Sequence, residues 1–349
     1  MPETSLQVES LSPAEALTRF DLLGIIAPCP VFAALPAVPD DLPLLRINAA
    51  CLASSDDATA EALLSRQPIR HGRSAFLAGG RAINYRCTDD FIFGVIEIDE
   101  SVFALDGERT PLLQAAEAGY RCIFRLLDEL GYSTLLRAWN YIGHINVESY
   151  GVERYRQFNI GRQNAFVSDG RAIAGNVPAA CALGVNDGPL QLAFLGSRQA
   201  MRAIENPRQV SAYNYPSQYG PRSPTFSRAA LFNTAHDEIL FISGTASIVG
   251  HQSLHPHDVV AQVAESLVNV SVLLDQANKV RHAHLPCTLA EVNYRIYVRH
   301  PSDLVAIRGE FERIVGIEAV AVYLQSDVCR SDLLVEIEGS AMLSRTFEP

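Results

Sequence analysis

The chain has 349 residues, 48% hydrophobic and 19% charged, a globular composition long enough for two ordinary domains or one large one. Its formal net charge of −11 argues against nucleic acid or an anionic membrane surface as the main partner. An anionic small molecule is compatible with that field only where arginines are gathered locally.

Met1 to Phe20 has no basic segment and carries Glu3, Glu9 and Glu15, so it does not read as a secretory signal. No apolar run approaches the ~18–20 residues needed to span a bilayer. The seven cysteines (Cys29, Cys51, Cys87, Cys122, Cys181, Cys287 and Cys329) are scattered and never spaced C-x-x-C. They read as reduced thiols, and the cytoplasm is the expected compartment. Ala27 to Pro43 holds five prolines without a helical period and is expected as loop and short strand.

From Phe91 the pattern sharpens. Phe91–Ile98 is apolar and β-branched, a predicted strand. Leu112–Leu130 places Leu113, Ala116, Tyr120, Ile123, Leu126, Leu127 and Leu130 on one stripe, a predicted helix stopped by Gly131. Leu135–Ile145 is strand-like and Val152–Phe166 helical. Ala179–Val185 and Leu190–Leu195 read as two strands joined by an Asn186-Asp187-Gly188 turn. Met201–Arg228 follows, polar and aromatic with Pro207, Pro216, Pro221 and Pro224. It is long for a connector and is a candidate binding loop.

The same order then recurs. Glu238–Ile242 and Ala246–Val249 are strand-like, Val259–Ala277 has helical spacing, and Asn293–Val298 is a strand. Leu304–Ile314 reads as a helix, with Ala319–Leu324 and Leu333–Ile337 as closing strands. Leu190–Ser197 can be laid over Leu333–Ser340. The predicted fold is therefore α+β, two tandem units, each a mixed sheet with helices on one face. The expected division is 1–200, a linker or active-site loop 201–228, and a catalytic unit 229–349.

Candidate chemistry lies in three places. In Val335-Glu336-Ile337-Glu338 the two carboxylates share one face of a strand; a cleft acid and a plain edge strand both fit. Arg154–Phe166 sets Tyr155, Arg162 and Phe166 at roughly helical intervals. Ser211–Arg228 adds Tyr213, Tyr215, Arg222 and Arg228. Arginine forks and tyrosine hydroxyls suit the capture of carboxylates. The overlay puts Ala193 where Glu336 falls, so one copy lacks the acid and a single working site is expected.

From about Asp237 onward, Ile242-Ser243-Gly244, Gln262, Asn269, Asn293–Val298 and the VEIE strand resemble the YjgF-like, or reactive-intermediate deaminase, fold (a chorismate-mutase-like architecture). The arginine that those deaminases carry on the preceding strand is missing from Ala319–Leu324 and from Pro178–Val185. The segments Arg154–Phe166, Ser211–Arg228, Ile242–Gly250 and Cys329–Gly339 together resemble the chorismatase family. That resemblance implies an enzyme removing the enolpyruvyl group of chorismate as pyruvate, without metal or redox cofactor. It makes Glu336 the proton donor, and it places Tyr155, Arg162, Tyr213, Tyr215, Arg222, Arg228, Gly244 and Thr245 in the substrate site. Hydrolytic members carry alanine at the first of two variable positions and lack the cysteine at the second. Gly244 and Cys329 side with members forming 3-hydroxybenzoate, or 3- and 4-hydroxybenzoate together, and Cys329 joins the catalytic set. The hydrolytic reaction and a non-catalytic metabolite-binding protein are the alternatives. Because one chain supplies both halves of the cleft, a monomer is expected.

Rival signals are weaker. His251, His255 and His257 have the spacing of zinc ligands, with His282 and His284 further on. They nevertheless sit before a helix beside Pro256 and Asp258, where polar capping residues are ordinary, so no metal is assigned. Cys329 lacks an identifiable activating histidine. Gly244–Gly250 lacks the lysine of a phosphate loop.

Overall fold

The computed structural model describes residues 5–28, 38–55, 57–74, 82–234, 237–282 and 285–344. The proline-rich 29–37, Cys29 and His284 lie outside the described residues.

The chain opens with β1 (Gln7–Leu11), α1 (Pro13–Thr18), β2 (Leu22–Pro28), β3 (Leu44–Ile47), β4 (Cys51–Ser54) and β5 (Ala60–Leu64). A run of β6 (Arg70–Ser74), β7 (Ile83–Cys87), β8 (Phe91–Ile98), α2 (Pro111–Leu130) and β9 (Thr134–Gly143) follows. A short ribbon, β10 (Glu148–Ser149) and β11 (Val152–Glu153), then leads into α3 (Arg154–Ser168), β12 (Ala179–Val185) and β13 (Leu190–Ser197). Next come β14 (Arg202–Ile204), β15 (Ala229–Asn233), β16 (Asp237–Thr245) and the ribbon β17 (Ile248–Val249) and β18 (Gln252–Ser253). The chain closes with α4 (Val259–Asn278), β19 (Asn293–Val298), α5 (Leu304–Val315), β20 (Ala321–Gln325) and β21 (Val335–Ser344).

The six-stranded sheet runs β12-β9-β13-β8-β7-β6, and the larger sheet runs β20-β19-β21-β16-β15-β14 with β4 added beside β20. The second order is the first one repeated element for element. One expected hairpin is corrected by this topology. β9 lies between β12 and β13, and β19 lies between β20 and β21, each pairing one neighbour parallel and the other antiparallel. The Asn186-Asp187-Gly188 turn therefore starts a crossing over the central strand rather than a two-stranded ribbon.

Ahead of the six-stranded sheet, β1-β5-β2-β3 form a sheet of their own; of the stretch Ala27–Pro43, the described residues after Pro28 are loop. All seven residues of β2 are buried. β2 therefore holds its sheet against the core by apolar burial rather than by a legible alternation.

Side-chain alternation assigns the layers. On β9 the residues Ala138 and Ile142 turn outward, Ile142 against α2 and α3. Trp139 and Tyr141 turn inward and pack with Phe241 and Tyr297 of the larger sheet. On the larger sheet Tyr294, Ile296, Val335 and Ile337 face α4 and α5. The result is helices, sheet, sheet, helices, with the inner faces meeting in a shared core. Glu336 and Glu338, alternating with Val335 and Ile337, are thereby committed to the buried space between the two sheets.

Candidate active site

A cavity of ≈ 370 Å³ opens where the β12 edge of the first sheet meets β16 and β21 of the second. Ser243 Oγ accepts from the Ala180 amide at 2.9 Å, and Gly184 and Asp327 exchange backbone hydrogen bonds at 2.7 and 3.1 Å. These contacts fix the two halves around the cavity. Ala180, Cys181 and Ala182 of β12 are small, which leaves room for a ligand.

Glu336 forms one wall and is 4% exposed. Burial, then the neighbouring Glu338 carboxylate, push its carboxyl up to about 8, against the pull of Arg137, Arg228 and Arg299. At neutral pH the group is a carboxylic acid. Burial also works against the Glu338 charge, but Arg137, Arg295 and Tyr297 outweigh it and hold Glu338 below the usual carboxylate range. Two carboxyl groups on one strand face thus divide into an acid and an anion.

The register of β16 against β21 slips by one residue between Ile242 and Thr245, a bulge that turns Gly244 toward Glu336. A β-carbon on Gly244 would overlap Glu336 Oε1, stand 2.8 Å from Cδ, and lie 3.4 Å from Cys181 Cβ. Glycine at 244 is what lets the acid occupy its observed place.

Helix α3 supplies the opposite wall. Gly161 sets its backbone against Leu113 of α2, where a β-carbon would collide with the carbonyl oxygen. The next residue, Arg162, is 2% exposed, and its guanidinium lies over the rings of Tyr120 and Phe166 at 5.0 and 5.5 Å. Its Nε and Nη2 are buried without a hydrogen-bond partner, and among the described residues no carboxylate pairs with it. Tyr155 and Asn159 line the cavity from the same stripe. Burial, then Cys329, push the Tyr155 hydroxyl far above its ordinary value, so it acts as a neutral donor.

Two further arginines repeat this motif. Arg228 donates through Nη2 to Val210 O and Tyr215 Oη, both at 2.8 Å, while its Nε is buried and unpartnered. Arg330 donates to His251 O at 2.9 Å and Ser253 Oγ at 3.2 Å, leaving Nη2 buried without a partner. Tyr219 and Tyr215 stack beneath Arg330 at 4.0 and 5.2 Å. Buried guanidinium groups with open N–H bonds are strong anion ligands in waiting.

Of the residues expected in the site, Glu336, Cys329, Tyr155, Arg162, Tyr215, Arg228 and Gly244 line the cavity. Tyr213, Arg222 and Thr245 do not. Arg222 is exposed beside Pro221 on a separate surface groove with Glu108 and Glu117. Thr245 Oγ1 is spent on Ser243 O at 2.8 Å. Tyr213 sits in a 3-10 turn, Ala212–Asn214, and is not part of the cavity lining. Sequence reasoning missed Asn159, Cys181, Tyr219, Phe226 and Arg330, all of which line the cavity. Burial, then Glu336, push the Cys329 thiol up to about 12, which removes a thiolate nucleophile from consideration at neutral pH.

The histidines do not converge. His251 Nδ1 lies 3.2 Å from Tyr219 Oη and His255 faces Glu265 at 3.8 Å. Among the described residues no three His, Cys, Asp or Glu side chains form a metal-holding group.

Arg299 shapes the loop that carries Cys329 and Arg330. It donates to Leu333 O, Val328 O, Arg330 O, Asn146 Oδ1 and Asp327 Oδ1 at 2.6–3.0 Å. Lysine keeps the charge but cannot reach five acceptors in one plane. Arg299→Lys is expected to loosen this loop, lowering turnover at least ~10-fold with a smaller loss of thermal stability. Steady-state kinetics beside a melting curve checks this, and unchanged kinetics would remove the loop from the working site.

Helix α4 backs the same loops. Asn269 donates to Ala246 O and Ile248 O, and Gln262 bridges Asp332 O and the Leu334 amide. No described helix is long and apolar enough to cross a membrane.

Residues 61–196 match the family profile described as "Chorismatase FkbO/Hyg5-like, N-terminal". A protein named 3-hydroxybenzoate synthase from Streptomyces hygroscopicus is 40% identical over 266 residues, covering 70% of this chain and 77% of that one. A chorismatase from Streptomyces rapamycinicus is 38% identical, with 81% and 82% covered. A crystal structure of a chorismatase superposes with a TM-score of 0.79 at 29% identity, over 98% of this chain and 99% of the other. With relatives of this identity spanning most of both chains, and a fold shared nearly end to end, the protein belongs to the chorismatase family.

Proposed function

We propose that the protein converts chorismate to 3-hydroxybenzoate and pyruvate, with 4-hydroxybenzoate as an accompanying product. One observation carries this reading: a buried Glu336, its carboxyl raised to about 8, shares a cavity with three arginines that each keep at least one buried nitrogen without a hydrogen-bond partner. A substrate with two carboxylates and an acid-labile enol ether fits that set. The names of the relatives support it, as do Gly244 and Cys329.

In this reading Arg162, Arg228 and Arg330 take the carboxylates, with Tyr155 and Tyr215 as neutral donors. Glu336 delivers its proton to the enolpyruvyl methylene carbon, which becomes the methyl group of pyruvate. The resulting oxocarbenium ion is captured by the neighbouring ring hydroxyl. The hydroxyl gives up its proton as a cyclic ketal forms; one ring C–O bond and the ketal C–O bond to the other oxygen then break, releasing pyruvate as the ketone and leaving one oxygen on the ring. The ring C–H proton lost on aromatising restores Glu336, and the proton given up by the hydroxyl ends on the phenol oxygen. The step is redox-neutral and returns the acid to its starting state.

Purified protein incubated with chorismate is expected to give pyruvate and hydroxybenzoate in equal amounts by chromatography. A dihydroxycyclohexadiene acid in place of hydroxybenzoate would show the hydrolytic reaction. Chorismate binding without pyruvate would show a metabolite-binding protein.

For the organisation of the chain we propose a first unit within 1–200, a connecting segment 201–228 and a second unit 229–349. The repeated strand order supports it, although residues 7–64 form their own sheet apart from β4. A cleft built within one chain supports a monomer.

Gly244→Ala acts on the acid directly, since the added methyl overlaps the Glu336 carboxyl. The flexible side chain is expected to swing aside rather than the backbone. Combined with Cys329→Ala, turnover is expected to fall about 10-fold, with product shifting toward the dihydroxycyclohexadiene acid. An unchanged product ratio at reduced rate would leave both positions with packing roles only.

A further inference from the structure

Glu338 has no access to the cavity, yet it is the most elaborately held carboxylate among the described residues. Its side chain is 2% exposed. Oε1 accepts from Arg295 Nη1 at 2.8 Å and from Tyr297 Oη at 2.6 Å, and Oε2 pairs with Arg137 Nη2. Tyr141 Oη stands 2.6 Å from Tyr297 Oη, and because Tyr297 gives its proton to Glu338, Tyr141 is the donor in that pair. Arg137 and Tyr141 come from the first sheet, Arg295 and Tyr297 from the second.

The positions are equivalent in the two sheets. Leu195 pairs with Arg137 across β13 and β9, as Glu338 pairs with Arg295 across β21 and β19. The first sheet has kept the arginine of this pair without a carboxylate, and its arginine reaches across to the carboxylate of the second. Arg137 Nη1 also donates to Ile242 O at 2.9 Å, at the bulge that brings Gly244 against Glu336. The same guanidinium therefore contacts the anion and the strand that seats the acid.

We propose that Glu338 is a positioning residue for Glu336: an anion fixed between the two sheets, it keeps its strand neighbour loaded with a proton and turned toward the cavity. This rests on the reading of Glu336 as the acid.

The groups packed around Glu336 set the sign. Arg137 from β9, Arg228 from the connecting segment and Arg299 from the turn after β19 favour its ionised form. Arg162 of α3 and Arg330 before β21 also line the cavity, beside Glu153 and Asp332 at its wall. Tyr155, Cys181 and Cys329 face it as neutral groups, each held protonated by burial. Against these cations Glu338 is the leading charge that opposes proton loss.

Two variants shift the balance in opposite directions. Glu338→Gln removes the anion and leaves Arg137 unneutralised and Arg295 with Glu61 alone, 3.4 Å away, so Glu336 is expected to lose its proton at lower pH. The alkaline limb of kcat/KM should move down by about one pH unit, a loss of roughly fivefold at pH 8 and little at pH 6. Arg137→Gln removes a cation while Arg295 and Tyr297 still hold Glu338, so the limb should move up. A merely structural ion pair would lower activity at every pH alike in both variants. Limbs that stay put, or that move in the same direction, overturn the proposal. If Glu338→Gln does not fold, the upward shift in Arg137→Gln decides alone. A ¹³C-NMR titration of the Glu336 carboxyl, identified by its loss in Glu336→Gln, reads the same shifts without substrate. Displaced titrations in a protein that releases no pyruvate would sink the catalytic reading while leaving the electrostatic one standing.

Discussion

Glu336→Gln is expected to abolish pyruvate release and, above neutral pH, to make the protein more stable. The side chains are nearly isosteric, so the cavity keeps its shape, but glutamine has no proton of useful acidity to give. Loss of a general acid costs at least ~10²-fold in turnover. The stability effect follows from the same burial. The carboxyl is raised from 4.5 to about 8 in the folded chain. Between those values the folded protein holds a proton that the unfolded chain releases, so stability is full below about pH 4.5 and declines as pH rises through 8. Every tenfold gain in proton affinity on folding corresponds to about 1.4 kcal/mol, so the wild type carries a penalty of several kcal/mol above pH 8 that glutamine lacks. Melting curves at pH 5 and pH 9 are expected to diverge in favour of the variant only at the higher value. Near-normal turnover would exclude Glu336 as proton donor, and coincident melting curves at both pH values would exclude its raised proton affinity.

How legible this protein is in its sequence depends on whether a residue's partners are local. Phe91–Ile98 and Asn293–Val298 appear in the structure with the bounds their patterns give, since an apolar, β-branched run bounded by turns has few alternatives. Thr110 capping α2 and Gly131 in the left-handed conformation at its end are equally local signals. By contrast β6, Arg-His-Gly-Arg-Ser, lies at a sheet edge and has no buried residue to betray it. The strand Ala229–Asn233 follows directly on a proline-rich stretch, and no turn signal separates it from the loop. In the site, Glu336 is readable because strand alternation puts it opposite Val335 and Ile337. Arg137 is not, because its meaning is an ion pair with Glu338, 201 residues away. The loop shows the limit most plainly. Tyr213 and Tyr215 look alike in sequence, yet only the second, at the end of a 3-10 turn, meets Arg228 and the cavity.

Arg162→Ala is expected to raise KM by one to three powers of ten with a smaller effect on kcat. In the free protein this guanidinium rests on Tyr120 and Phe166, and those ring faces offset only part of the cost of removing a charge from water. Nε and Nη2 are buried without a hydrogen-bond partner, so the arginine is held by packing rather than by an ion pair that must first be broken. A carboxylate arriving there gains a charge-assisted contact with a buried guanidinium, where electrostatic interactions are stronger than in water. Truncating one partner of such a pair costs ~2–5 kcal/mol, much of it the penalty on the charge left behind. Because the contact is to a group that does not react, it is present in ground and transition states alike, and its loss is read in KM. Alanine also removes a buried charge from the free protein, so the melting temperature is expected to hold or rise. That combination separates binding from folding. Arg162→Lys restores the charge without the fork and is expected to recover only part of the affinity. Unchanged KM and kcat in Arg162→Ala would remove this residue from the substrate site, and a collapse in stability would make it a support of α3 instead.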